Sequence, residues 1–303
     1  MTSKLKKGVF RIQQLIARLS TQEQGATLIF VALTLPVLLG FAALAIDGSN
    51  IYAQQRQIQT AADAAALAGA QVLALGSSTA QVQSTVQNLI SLNGADSYTL
   101  SYLNGNTEVQ VTAVQSFATF FAGIVGYETL RVQATAKAHF AGVASAGNLL
   151  PMIIECANPW FTYGVEYEIF DGDKNAPGNF GWVTWNGSPS ANTLANNLNN
   201  PSNSGEWNIG DWVDGATGQM NSSGVRNALD NWIASGTAVT IPLYDIVAGN
   251  GSNTRYKICG FAEFILTRRG NKSVHGKFQR SLTRGGSVGT APDYGVRDVR
   301  ITQ

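Results

Sequence analysis

An apolar run at residues 26–46 restricts this chain more than any other stretch. Thr27 and Thr34 are the only polar side chains in it, and roughly 20 residues of nearly continuous hydrocarbon match the thickness of a bilayer core. The run reads as a membrane span. Directly after it come Asp47, Asn50, Gln54, Gln55, Arg56, Gln57 and Gln59, which a lipid interior would not accept. Ile51, Ile58, Ala65 and Val72 nevertheless recur every seven residues through this polar stretch, a helical spacing. The sequence therefore predicts one helix that starts in a membrane and continues beyond it, with a stalk at 47–75.

Charge orients the span. Lys4, Lys6, Lys7, Arg11 and Arg18 precede it with Glu23 as the single acid, and basic residues beside a span stay cytoplasmic. The expectation is a single-pass membrane protein, N-terminus in the cytoplasm and bulk outside. Leu5, Val9, Ile12, Leu15, Ile16 and Leu19 share one helical face among those bases, so residues 1–25 suit a basic amphipathic segment lying on an anionic leaflet. A secretory signal peptide is the alternative, but the apolar run is long for an h-region and no small-x-small site precedes Asp47. Cys156 and Cys259 are the only cysteines. Far apart and placed outside, they resemble neither a zinc cluster nor a redox pair, and a disulfide or two buried thiols remain open.

Beyond the span the sequence reads 59–70 as Gln-Thr-Ala-Ala-Asp-Ala-Ala-Ala-Leu-Ala-Gly-Ala. Alanine has the highest helix propensity and a slim profile that lets a neighbour approach closely. Ile51, Ile58, Ala62, Ala65 and Gly69 form one stripe, with Asp63 the single charge of the alanine segment. Two readings stand side by side: a packing face for a filament or partner, or a face that packs on the chain's own globular part.

The run from Gly25 to Asp47, then Tyr52, then Ala61-Ala-Asp-Ala-Ala-Ala-Leu-Ala-Gly-Ala70, resembles the N-terminal module of TadE/TadG-like proteins, which are Flp-type tight-adherence pilus-assembly proteins. The resemblance implies a minor-pilin-like or pseudopilin-like role at the inner membrane, with other pilus-assembly proteins or pilins as partners. It makes Gly25 and Ala26 a candidate processing site. Phe30 stands where processed type IV pilins carry a glutamate, a departure from the pattern of filament subunits. Larger TadG-type proteins carry a von Willebrand A domain; Asp47-Gly-Ser49-Asn-Ile51 fails that metal motif at its final serine, and no such domain is expected.

The predicted fold is α+β and membrane-anchored: residues 1–25, a span at 26–46, the stalk at 47–75, a small pilin-like α+β unit at 76–147, and a β-rich extracytoplasmic domain at 148–303. In the small unit a helix is expected at 79–92 and strands at 97–103, 108–114 and 129–140 around the Asn104-Gly-Asn turn. Residues 117–125 read as a short apolar helix, with Phe117, Phe120 and Phe121 in the core. In the C-terminal part strands are expected at 152–155, 166–170, 181–185, 239–247, 256–266, 277–282 and 296–301, and a helix at 223–233. The stretch 186–221 reads as a long disordered or partner-facing loop. Arg268, Arg269, Lys272, Lys277, Arg280, Arg284, Arg297 and Arg300 concentrate positive charge near the end, for an acidic partner, the chain's own acidic middle or an anionic polymer.

Catalytic patterns are thin. Gly285-Gly-Ser-Val-Gly289 matches a nucleophile elbow, but Pro292 spoils the following helix and no histidine comes after Ser287. Asp171-Gly-Asp-Lys-Asn175 opens like a calcium loop, yet Ala176 and Trp182 occupy positions where glycine and a bidentate glutamate are required. An Asx-rich turn is preferred there, with a weak calcium site as the alternative. Two isolated histidines, His139 and His275, cannot build a multi-histidine zinc centre, and no phosphate loop, dinucleotide fingerprint or other cofactor or nucleic-acid signature is present. The expectation is a non-enzymatic protein. The alternative is an anchored extracytoplasmic carbohydrate-binding protein or hydrolase, on the strength of Trp160, Trp182, Trp185, Trp207, Trp212 and Trp232.

Overall fold

The computed structural model describes residues 23–156, 162–171, 181–185, 189–216, 222–271, 273–283 and 291–302. The basic segment, the nucleophile-elbow pattern, most of the calcium-loop pattern and Trp160 lie outside the described residues. Helix α1 covers Glu23–Ala74 without interruption, Pro36 included. Two compact units divide the chain: residues 1–58 with 114–133, and residues 59–113 with 134–303.

The first unit holds the apolar part of α1 and one end of a hairpin formed by β2 (Glu108–Ala118) and β3 (Thr129–Gly142). Among the described residues nothing covers α1 over its most apolar window, whose mean hydropathy is 2.6. Leu28, Phe30, Leu33, Phe41 and Leu44 are all exposed. Polar side chains on this stretch turn back onto the helix: the Thr34 hydroxyl donates to the Phe30 carbonyl at 2.9 Å and Ser49 to Ile46 at 2.8 Å, the usual way such groups are satisfied in an apolar environment.

The second unit begins where α1 turns to alanine. Ala61, Ala62, Ala65, Ala66, Ala70 and Ala74 are fully buried. Helix α2 (Thr79–Leu92) starts at a capping box, Ser78 with Gln81, and buries Val82, Val86 and Ile90. A Cβ added at Gly69 would lie 3.0 Å from Val86 and 3.2 Å from Val109, so glycine sets how closely α1, α2 and β2 approach. A five-stranded sheet runs β1 (Ser97–Leu103), β2, β3, β14 (Val296–Thr302), β13 (Ser281–Leu282). Its fourth strand is the end of the chain, antiparallel to β3 with Arg297 opposite Gly142 and Ile301 opposite Ala138.

A second, seven-stranded sheet is built around β11 (Arg255–Arg269), in the order β5 (Ile154–Glu155), β10 (Ala238–Ala248), β11, β12 (Ser273–Gln279), β6 (Glu166–Asp171), with β9 (Trp212–Gly215) on β11 and β7 (Val183–Thr184) on β9. Two helices, α3 (Ala191–Asn199) and α4 (Ser223–Ser235), bring Leu194, Leu198, Val225 and Leu229 into one core with Ile241, Leu243, Phe264 and Phe278. A separate cluster gathers Leu149, Val183, Val213, Tyr256, Ile258 and Phe261. Cys156 and Cys259 are joined by a disulfide, with Cα atoms 6.7 Å apart and a separation of 103 positions in sequence. A loop of that length gains about 4–5 kcal/mol from cross-linking in the chain-entropy account.

Membrane-anchored α+β with a strand-rich C-terminal region is the architecture found. Three local expectations are corrected. Residues 117–125 are not a helix: β2 runs on to Ala118 and is followed by a single 3-10 turn, Ala122–Val125. Phe120 and Phe121 are not core, at 67% and 39% exposure. The described part of 186–221 is ordered, forming α3, a 3-10 turn at Pro201–Ser204, β8 (Glu206–Asn208) and β9. Its asparagines hid a short amphipathic helix, capped by Ser190 accepting the Thr193 amide at 3.0 Å. β8 pairs with β4 (Ser145–Gly147) in a two-stranded sheet.

Candidate functional site

Where the apolar run ends, Asp47 does something a solvated carboxylate would not. It is 7% exposed and accepts consecutive backbone amides: Phe120 at 2.8 Å, Phe121 at 3.1 Å and Ala122 at 2.6 Å. These are the orphan donors that open the 3-10 turn, and a carboxylate satisfies them as a cap does. Two helical turns further along, the Gln55 side-chain amide donates to the Gln133 carbonyl at 2.9 Å. Both contacts tie the β2–β3 hairpin to α1 inside the first unit. Asp47 was legible as a marker of the membrane exit; its partners, more than 70 residues away, were not.

Inside the second unit the other end of α1 is closed as a Schellman motif: the Ser77 amide donates to Val72 at 3.2 Å and the Gly76 amide to Leu73 at 2.9 Å. Gly76 takes φ +82, the left-handed geometry that this motif asks of its glycine. The Ala74 carbonyl is left over and accepts from Arg297 Nη1. A guanidinium at a helix C-terminus also meets the negative end of the helix dipole. Arg297 is held in turn by Asp293, with Nη2 2.6 Å from the carboxylate and Nε 3.0 Å from it, and its guanidinium lies 4.9 Å from the Phe140 ring centre. Burial pushes the Asp293 carboxyl up, but Arg297, the Gly295 amide and the Arg280 charge outweigh it and hold it below the ordinary carboxylate range.

Of the stalk residues, Ala62, Ala65 and Gly69 are buried in the second unit, and Ile58 is also fully buried. The alanine face therefore serves the chain's own globular part. Ile51 stays 39% exposed, and Asp63 is half-buried, accepting from the Gln59 amide at 2.8 Å. The backbone of Gly25 and Ala26 lies in the first turns of α1.

Two bases of the C-terminal patch, Arg268 and Arg269, are answered by acids from the chain's middle, and Arg300 by its near neighbour Asp298. Arg268 pairs with Glu166 at 2.9 Å, Arg269 with Asp230 at 2.6 Å and Arg300 with Asp298 at 2.9 Å. The Thr267 hydroxyl and the Arg268 guanidinium hold the Glu166 carboxyl below its usual range. Lys272 and Arg284 lie outside the described residues. The tryptophans are structural too: Trp182 is 1% exposed, Trp185 packs on Trp207 at 5.6 Å, and Trp232 donates to the Leu198 carbonyl at 2.7 Å. Among the described tryptophans Trp182 and Trp185 are buried, and Trp207, Trp212 and Trp232 are half-buried.

Residues 25–72 match the family described as putative Flp pilus-assembly TadE/G-like. The chain carries a TadE/G-like segment. Its bounds nearly coincide with α1, from the start of the apolar run to the buried alanines, so the match covers anchor and stalk together. No curated protein and no solved structure matches the chain. The TadE/G-like segment supports a Flp/Tad pilus-related role, and among the described residues one N-terminal helix is long and apolar enough to cross a membrane, as a single-pass anchor requires.

Proposed function

We propose that this chain is a non-enzymatic, minor-pilin-like or pseudopilin-like component of Flp/Tad pilus assembly. It is held in the inner membrane with its N-terminus inside, and its head makes extracytoplasmic contacts with other assembly proteins or pilins. One observation carries the reading: the TadE/G-like segment is a single helix whose apolar half is bare and whose alanine half is packed. Such a helix holds a folded head at a membrane. The charge pairs Arg268–Glu166 and Arg269–Asp230, the buried Trp182 and Trp185 and the Trp232 indole bonded to the Leu198 carbonyl favour a protein-contact role over the carbohydrate-binding alternative, which needs an accessible aromatic platform.

Deleting the chain in its source cell should abolish surface piliation and adherence, and expression of the intact chain should restore them. Normal piliation in the deletion strain would overturn the proposal, as would turnover of a glycan by the purified full chain. Mass spectrometry of the mature N-terminus refines the role. A start at Ala26 marks a processed pseudopilin, and a start near Met1 marks a fixed anchor.

A further inference from the structure

The hairpin tip held by Asp47 carries an exposed apolar surface outside the span. Residues 119–127 contain no ionisable group except the Tyr127 phenol, yet Phe120, Ile124, Val125 and Tyr127 are 67%, 84%, 73% and 63% exposed. The tip is not a loose loop. The Thr119 amide donates to Glu128 at 3.0 Å, the Thr119 hydroxyl to Tyr127 at 2.6 Å, and the Tyr127 amide to Ala122 at 3.0 Å. A closed turn that displays contiguous large apolar side chains to water is unusual in a soluble surface and marks an interaction site.

Its position names the occupant. Asp47 is the first ionisable residue after the apolar run, so its carboxylate lies where α1 leaves the hydrocarbon. The amides of Phe120, Phe121 and Ala122 are bonded to that carboxylate, which places the tip at the same depth. The hairpin approaches from the polar side: Gln133 is held at Gln55, about 12 Å further along the helix at its ordinary rise. The turn therefore points toward the span, and at that end of α1 Leu44 and Ile46 are exposed as the tip's own side chains are. Tyr127 adds an exposed phenol at the level where aromatic residues gather in membrane proteins.

We infer that the 119–127 tip is a second membrane contact, seated in the interfacial layer of the leaflet from which α1 emerges, with the lipid of the chain's own bilayer as its partner. Asp47 is the positioning residue. It satisfies the turn's amides, so that polar backbone is not left bare at the edge of the hydrocarbon. The inference rests on the anchored reading of α1, and a test can separate the two.

The full chain, with single added cysteines carrying an environment-sensitive fluorophore at position 44, 124 or 52, would be reconstituted into phosphatidylcholine–phosphatidylglycerol vesicles containing shallow nitroxide-labelled lipid. Cys156 and Cys259 remain paired and unlabelled under non-reducing conditions. The expected result is that the label at 124 is quenched by the lipid at least half as strongly as the label at 44, and that both are shielded from an aqueous quencher relative to 52. In an Asp47→Ala chain the label at 124 should lose lipid quenching while the label at 44 keeps it. A label at 124 open to the aqueous quencher and untouched by lipid, with 44 still quenched, overturns the inference and leaves the tip as a surface for another protein. Loss of quenching at 44 itself overturns the anchored reading.

Discussion

Between residues 28 and 44, α1 presents leucine, isoleucine, phenylalanine and valine, from 51% exposed at Val31 to 72% at Leu28; between 61 and 74 it presents alanines, of which Ala61, Ala62, Ala65, Ala66, Ala70 and Ala74 are fully buried. Propensity does not separate the halves, since leucine and alanine are both good helix formers. The surroundings do. In the lower half none of the described residues covers the helix, and large side chains are what a lipid solvent accepts. In the upper half other elements press on it, and small side chains let Val82, Val86 and Val109 approach the backbone. One helix is thus written for two solvents, and the change falls at 47–58, where Asp47 and Gln55 take up the hairpin.

The comparison breaks most visibly if charge enters the lower half. A Leu35→Arg, Leu38→Arg chain should lose membrane retention, because each arginine near the centre of a span costs about 2.5–3.5 kcal/mol on the insertion scale, roughly 5–7 for the pair. Alkaline extraction of membranes reads the outcome: the unchanged chain stays in the pellet and the variant does not. Retention of the double variant would mean that this run is not the anchor.

The upper half depends on its terminal clamp. Arg297→Met removes a buried guanidinium that serves both the Ala74 carbonyl and Asp293, at about 2–4 kcal/mol for the groups left unpaired. Thermal unfolding of the detergent-solubilised full chain should fall by roughly 5–15 °C. Arg297→Lys should recover only part, since one ammonium cannot reproduce a fork.

The two glycines of α1 sharpen the contrast further. A Cβ at Gly69 meets Val86 and Val109, whereas a Cβ at Gly40 meets nothing within 4 Å. Gly69→Leu should therefore cost about 1–3 kcal/mol by overpacking, and Gly40→Leu should lie within about 0.5 kcal/mol of the unchanged chain. Equal effects in the same melting measurement would show that the halves do not differ in packing.

The sequence discloses what depends on one element at a time. The span, the alanine helix, α2 and most strands of both sheets follow from local period and caps, because hydrophobic spacing within a segment is all they require. What escapes it are pairings across the chain. Nothing near Asp47 announces that it will take the amides of Phe120 to Ala122, so the phenylalanines looked like core when a carboxylate had turned them outward. Arg297 looked like one base in a basic patch, although strand β14 carries it under the end of α1, more than 200 residues earlier. The asparagine-rich α3 was missed for another reason: Leu194 and Leu198 are too few to signal a period.

The smallest expected effect concerns the pH range over which the clamp holds. Asp293 has a folded-state pKa below its unfolded value, with burial overcome by Arg297 and the Gly295 amide. A carboxylate shifted in that direction contributes stability that is fully present above its unfolded pKa and is lost as pH falls through the folded one. With the unfolded value near 3.9, the melting temperature of the unchanged chain relative to Asp293→Asn should be higher by a constant, modest amount from about pH 5 to pH 8. The gap should close below about pH 4. Asp293 is 39% exposed at its side chain, so solvent screens the pair and the gap should be smaller than that produced by removing Arg297. A gap that instead widened on acidification would require Asp293 to be protonated in the folded clamp, and Arg297 would then be held at Ala74 without its counter-ion.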